Sequence, residues 1–234
     1  MPAWDVICLS PHPDDAAYSV GGTLSALSAL GRRVLVVTVC GGPAPGDPIS
    51  DFAREIHALM GLTAENAAQA RRAEDETALA RLGVARREGG LTDAIYRPVG
   101  YGSRETLLGG APRDELAVEP LISALRQESP DALLLAPLAA GGHVDHVLVF
   151  RAARRAPGPV AFWEDFPYVA QAPESVAARL AEESLSPLDL GVVPDVEARV
   201  EASAAYVSQI PLLFGDTEAL ARAVRGHPAE RLWR

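Results

Sequence analysis

Three stretches of this chain, Val6-Ile7-Cys8-Leu9, Val34-Leu35-Val36-Val37 and Leu133-Leu134-Leu135-Ala136, are apolar at every position rather than at alternate ones. A strand with one face in water alternates, whereas uniform apolar runs are the mark of parallel strands buried between helices. Between the first two runs lies Thr23 to Leu30, with Leu24, Leu27 and Leu30 on one side and Gly31 placed to end a helix. The order strand (Asp5 to Ser10), helix, strand (Val34 to Cys40) predicts an α/β fold, a Rossmann-like, mostly parallel sheet with helices on both faces.

The rest of the chain extends that pattern. Helices are expected over Phe52 to Met60, Ala64 to Leu82 and Asp114 to Gln127, and strands over Ala94 to Pro98, Ala132 to Leu138 and Val160 to Trp163. Asp195 can cap a last long helix that Pro211 stops. No repeat or linker interrupts the 234 residues, so residues 1–234 are expected to form a single domain.

A formal charge of −10, from 31 acidic against 21 basic residues, argues against nucleic acid or an anionic membrane as partner, since both demand a basic face. A small neutral or zwitterionic substrate fits better. No segment reaches the roughly 20 apolar residues of a membrane span, and no secretory leader is evident, which predicts a soluble, cytoplasmic protein. Cys8 and Cys40 fall in buried strands and are expected to be inert. A homo-oligomer is neither indicated nor excluded.

Chemistry concentrates at two strand ends. Ser10-Pro11-His12-Pro13-Asp14-Asp15 follows the first apolar run, and His143-Val144-Asp145-His146 follows the third. Carboxyl ends of strands in an open α/β sheet are where ligands bind, so the two clusters point to one crevice. Two imidazoles and one carboxylate, His12, His146 and Asp15, make a metal-binding set that leaves a coordination position open, as in catalytic zinc sites. Asp14 is then a free carboxylate able to take a proton from water as general base. His143, displaced from the ligands, is free to hydrogen-bond an oxyanion or protonate a leaving amine. The chemistry expected is hydrolysis of an acyl group. Asp93 and Trp163-Glu164-Asp165 could meet sugar hydroxyls at the rim, together with the Gly41 to Pro48 loop, and equally could be turn carboxylates and a core Trp. That loop is not a phosphate loop, and the His-Pro-Asp-Asp turn lacks the glycines of a nucleotide site.

Pro11-His12-Pro13-Asp14-Asp15 and Gly142-His143-Val144-Asp145-His146 resemble the two signature motifs of the PIG-L/LmbE-like N-acetylglucosaminyl deacetylases. Thr38-Val39-Cys40-Gly41-Gly42, Arg71-Arg72-Ala73-Glu74 and Tyr206-Val207-Ser208-Gln209 resemble further segments of the same family. The resemblance implies a Rossmann-like zinc hydrolase, with zinc or another divalent transition metal held by His12, Asp15 and His146. It implies Asp14 as base and His143 as the partner of the tetrahedral intermediate. Arg71, which by spacing alone reads as a surface ion-pair residue, is implied to face the substrate. Asp145 is expected to orient a neighbouring imidazole.

Two positions depart from the family pattern. Many members have Glu where this chain has Ala16, and some have Tyr where it has Gly141; the role of that tyrosine is expected to be absent here or supplied by another residue, such as Tyr101 or Tyr168. The expected activity is removal of the N-acetyl group from an N-acetylglucosamine-type small glycoconjugate, giving acetate and a free amine. The alternatives are an amidase cleaving a larger acyl group from an amino-sugar conjugate, and an inactive carbohydrate-binding relative. The group attached to the sugar is not legible in the sequence.

Overall fold

The computed structural model describes residues 3–42, 49–115 and 117–234, so residues 43–48 of the expected rim loop lie outside the described residues. Among the described residues seven strands form one sheet in the order β3-β2-β1-β4-β5-β7-β6. These are β1 (Val6–Ser10), β2 (Val34–Thr38), β3 (Ala85–Glu88), β4 (Leu133–Pro137), β5 (Val160–Trp163), β6 (Pro187–Leu188) and β7 (Leu232–Trp233). The first five pair in parallel, with Val6 opposite both Val34 and Leu133, and only β7 runs antiparallel to its neighbours β5 and β6. The fold is Rossmann-like α/β. Every residue of β1 and β2 is buried, as their uniform apolar composition requires.

The helices are α1 (Asp15–Ala29), α2 (Asp51–Leu59), α3 (Ala67–Arg81), α4 (Arg104–Leu107), α5 (Val118–Glu128), α6 (Val144–Arg154), α7 (Tyr168–Gln171), α8 (Pro173–Glu183), α9 (Val196–Ser203), α10 (Ile210–Leu213) and α11 (Thr217–Gly226). Helices α1, α3 and α11 pack on α9, while α5 packs on α6 and α6 on β4 and β5. A continuous apolar core runs from Val6 to Leu232. No helix among the described residues is long and apolar enough to cross a membrane.

Several elements differ from the sequence expectation, and α4, α7, α8, α11, β6 and β7 had no counterpart in it. Helix α1 starts at Asp15 rather than Thr23, because the Ser10 hydroxyl accepts the Ala16 N–H and donates to the His12 carbonyl, tying the turn to the helix start. The helix kinks at Val20, and beyond the kink the buried Glu230 carboxylate accepts the N–H groups of Gly22 and Thr23. The expected strand at Ala94 to Pro98 is a 3₁₀ turn, Ala94–Tyr96, capped by the Asp93 side chain. Ala85–Glu88 supplies the edge strand instead. The expected long final helix ends at Ser203, well before Pro211, because the chain turns there to bring Tyr206 onto Asp75 and Ser208 onto Glu74.

Candidate active site

Strand order reverses between β1 and β4, which pair directly in parallel, so the loops that leave their carboxyl ends diverge and open a crevice. His12, Asp14 and Asp15 leave β1; His143, Asp145 and His146 leave β4. The structure brings all six together in the buried floor and walls of this crevice.

Asp15 Oδ2 is the hub. It lies 3.2 Å from His12 Nδ1 and 3.1 Å from His146 Nε2, and it accepts the His12 backbone N–H. The remaining nitrogen of each imidazole is committed to a carboxylate. His12 Nε2 lies 2.9 Å from Asp145 Oδ2, and His146 Nδ1 lies 2.6 Å from Asp165 Oδ1. A nitrogen that donates to a carboxylate leaves the opposite nitrogen with its lone pair free, so two imidazole lone pairs lie beside the same Asp15 oxygen. This donor set fits a divalent metal of the zinc type. The surrounding charge says the same. Burial opposes a charge on His146, yet Asp15 and Asp165 outweigh it and raise its pKa to about 9; His12 is likewise raised well above its ordinary value by Asp93, Asp145 and Asp15 against the cost of burial.

His143 also presents a ring nitrogen within 4.8 Å of those of His12 and His146. Its hydrogen bonding sets it apart from them. His143 caps α6, its Nδ1 accepting the Asp145 N–H at 3.2 Å, so a neutral His143 carries its proton on Nε2. Burial and the charge of His12 hold its pKa well below the ordinary histidine value, which keeps it neutral. With the proton on Nε2 it would present a hydrogen-bond donor to the cavity.

Asp14 occupies the N-cap position of α1 but makes no side-chain cap bond, its φ of 112° being a backbone conformation L-residues rarely adopt. Such a conformation costs about 1–3 kcal/mol and persists only where its surroundings hold it, here the Ser10 bonds on either side. Its effect is to turn the carboxylate away from the helix and toward the cavity it lines. Burial first, then the neighbouring Asp15, raises the Asp14 pKa well above the usual carboxylate range.

Arg71 and Asp93 both line the cavity, and they meet each other, Arg71 Nη1 lying 3.4 Å from Asp93 Oδ2. Asp93 Oδ1 caps the 3₁₀ turn through the Ile95 N–H, so both its oxygens already have protein partners. Arg71 has more to offer, since its buried Nε has no partner among the described residues. Asp145 is fully buried and also accepts the Ala94 N–H and Arg97 Nη1.

Several side chains around the site take places that the sequence reading left open or did not give. Asp165, expected as a rim carboxylate, is buried behind His146 and orients it; Trp163 is buried too, packing edge-on to His146 rather than facing a sugar. From that stretch it is Phe166, Pro167 and Tyr168 that line the cavity. Gln209 lines it as well, held by bonds from its amide to Ser208 and Met60; Ser208 in turn is fixed by Glu74. The segments Arg71–Glu74 and Tyr206–Gln209 thus interlock, and Tyr-x-Ser-Gln was the only sequence signal for Gln209. A wall of Ile56, Met60, Ile95, Leu107, Leu108, Leu212 and Leu213 completes the cavity, more apolar than the sequence suggested. Ala16 is buried in the core, and the outer carboxylates are supplied by Asp145 and Asp165.

The family model PIG-L, GlcNAc-PI de-N-acetylase, matches residues 7–157. The 2'-N-acetylparomamine deacetylase of Streptomyces fradiae is 36% identical over 176 residues, covering 70% of this chain; the match spans only 58% of that relative's length. The 1D-myo-inositol 2-acetamido-2-deoxy-alpha-D-glucopyranoside deacetylase of Nakamurella multipartita is 27% identical over 94% of this chain and 84% of its own. The crystal structure of the zinc-inhibited form of teicoplanin deacetylase Orf2 superposes with a TM-score of 0.74 at 29% identity, covering 97% of this chain and 96% of that one.

Proposed function

The chain belongs to the PIG-L family, and on that premise we propose that it hydrolyses the amide of an N-acetylated amino sugar of the N-acetylglucosamine type, releasing acetate and a free amine. The observation that carries the reading is the convergence of three kinds of group in one cavity. These are the His12, Asp15 and His146 donor set, the unbonded Asp14 carboxylate, and the neutral His143 donor. Residues 1–234 are proposed to act as one domain, which the continuous core supports.

His12, Asp15 and His146 would hold the metal, zinc or another divalent transition metal. When bound there it supplies Lewis-acid activation of water and of the amide carbonyl. The chain's own residues do the rest. Asp14, ionised at the start, accepts the proton of the attacking water as its oxygen bonds to the carbonyl carbon. The negative charge that develops on the carbonyl oxygen meets the Nε2–H of His143. In this reading His143 stays a donor to that oxygen, its Nδ1 accepting the Asp145 backbone N–H. Asp14, its carboxyl pKa raised, returns the proton to the nitrogen as the C–N bond breaks, and is ionised again. Arg71, which lines the cavity, would donate a hydrogen bond to a substrate oxygen, and Asp93 holds the guanidinium in that position.

The apolar wall supports a second reading, in which the amide carries an acyl group larger than acetyl. Release of carboxylate from a series of glucosamine amides of rising acyl length, run on metal-analysed enzyme, tests both. Turnover greatest on the acetamide is expected. Greatest turnover on a longer acyl chain selects the second reading, and none on any member refutes both.

A further inference from the structure

Gly141 stands two residues before His143 in the loop that leaves β4. Its backbone is one any residue can adopt, unlike that of Gly142, whose φ is +72°. What excludes a side chain at 141 is one other residue. A Cβ built there would fall 2.4 Å from Tyr168 Cγ and 2.7 Å from both Tyr168 Cβ and Cδ2, and the three nearest atoms all belong to Tyr168. Because Tyr168 Cβ is among them, rotating the ring does not relieve the overlap.

The ring seated on Gly141 stands edge-on to His146, centroids 6.1 Å apart and planes at 86°, and lines the cavity beside His12, Asp14, Asp15 and His143. Its hydroxyl is not among the buried atoms that lack a partner, as the Tyr18 hydroxyl is, and it makes no hydrogen bond to a described residue. That leaves it open to the cavity. Tyr101 differs in each respect: its hydroxyl donates to Asp114 and accepts the Arg113 N–H, and it lies outside the cavity lining.

We propose that Tyr168 is a substrate-contacting residue of this centre, its phenol donating a hydrogen bond to the bound substrate, and that Gly141 is the seat that admits its ring. This rests on the amide-hydrolase reading above and adds a contact to it. The hydroxyl is replaceable without disturbing the seat, whereas a methyl at 141 displaces ring and hydroxyl together.

The two positions form a double-mutant cycle, read as kcat/KM on the best acetamido sugar, with metal content and thermal midpoint measured alongside. Tyr168→Phe should lower kcat/KM about 10-fold, the scale of one hydrogen bond, and leave metal content and midpoint unchanged. Gly141→Ala should lose at least as much, and the double variant should lose no more than Gly141→Ala alone. Wild-type kcat/KM in Tyr168→Phe overturns the proposal, as does a double variant whose loss is the product of the two single losses. If Gly141→Ala does not fold, Tyr168→Phe decides alone. A wild-type enzyme inactive on every amino-sugar amide overturns the underlying reading and this contact with it; an active wild type with a silent Tyr168→Phe overturns the contact only.

Discussion

Replacing Asp145 with Asn exchanges an oxygen for an amide nitrogen on a side chain that no solvent reaches, and its three partners determine the cost. Oδ2 accepts from His12 Nε2 at 2.9 Å and from the Ala94 N–H at 3.0 Å, while Oδ1 accepts from Arg97 Nη1 at 2.5 Å. Asn can place its oxygen on one side only. With oxygen toward Arg97, the amide nitrogen faces the Ala94 N–H, and His12 Nε2 must accept instead of donate. The His12 proton then moves to Nδ1, the atom 3.2 Å from Asp15 Oδ2 whose lone pair the metal needs. With oxygen toward His12, the amide nitrogen points at the Arg97 guanidinium, whose remaining partners are the Thr92 carbonyl at 3.1 Å and Asp114 at 2.7 Å. Either way the tautomer or the charge that holds His12 is lost, at a cost of about 10- to 100-fold in metal affinity.

The assay is competition between apo-protein and a chelator of known zinc affinity, checked by the stabilisation that zinc confers. At fixed saturating zinc, each tenfold loss of affinity removes about 1.4 kcal/mol of that stabilisation. Asp114→Asn is the control, since it touches Arg97 but not His12, and it should bind zinc far more nearly as the wild type does. An Asp145→Asn protein with wild-type zinc affinity refutes the tautomer argument and, with it, the assignment of His12 Nδ1 as a ligand atom.

Asp14→Asn should keep its metal and lose about 10²-fold or more in turnover, because the amide neither takes nor returns a proton; near-normal turnover excludes Asp14 as the base. His143→Ala should lower kcat with less effect on KM, since the carbonyl oxygen gains its charge only after attack. A change confined to KM would move His143 to ground-state binding. Glu230→Ala should destabilise the fold by about 3 kcal/mol in urea melts, for it strips an acceptor from the Gly22 and Thr23 N–H groups and a counter-charge from the buried Arg199, 3.6 Å away. A loss below about 1 kcal/mol would mean that the tail does not hold the second half of α1.

What the sequence revealed of the fold follows from how each strand is buried. β1, β2, β4 and β5 were legible because they are covered on both faces and so carry apolar side chains throughout. β3 was not, because an edge strand of Ala-Arg-Arg-Glu stays half exposed and satisfies its side chains by charge, Arg86 on Asp75 and Arg87 on Glu128. Apolar periodicity carries no information about such a strand. The chain after Ser203 failed for the opposite reason: local helical spacing persists toward Pro211, but contacts to α3 distant in sequence override it.

The site divides along the same line, between what is local and what the fold assembles. His12, Asp14 and Asp15 lie within one turn, and His143, Asp145 and His146 within another, so their proximity is written into the spacing. The residues that decide what those groups can do come from elsewhere. His12 is oriented by a carboxylate 133 positions away and His146 by one 19 positions away; the sequence reading anticipated an orienting role for Asp145 but left Asp165 between a rim contact and a turn carboxylate. The positive φ of Asp14 leaves no trace in composition, yet it separates a carboxylate that caps a helix from one that faces the cavity. Gly141 is the clearest instance. Taken in sequence it is a position without a side chain, next to a glycine that needs its freedom for a left-handed turn. In the fold it is the space that Tyr168 fills, so the absence of a side chain at one position is the condition for the presence of another in the cavity.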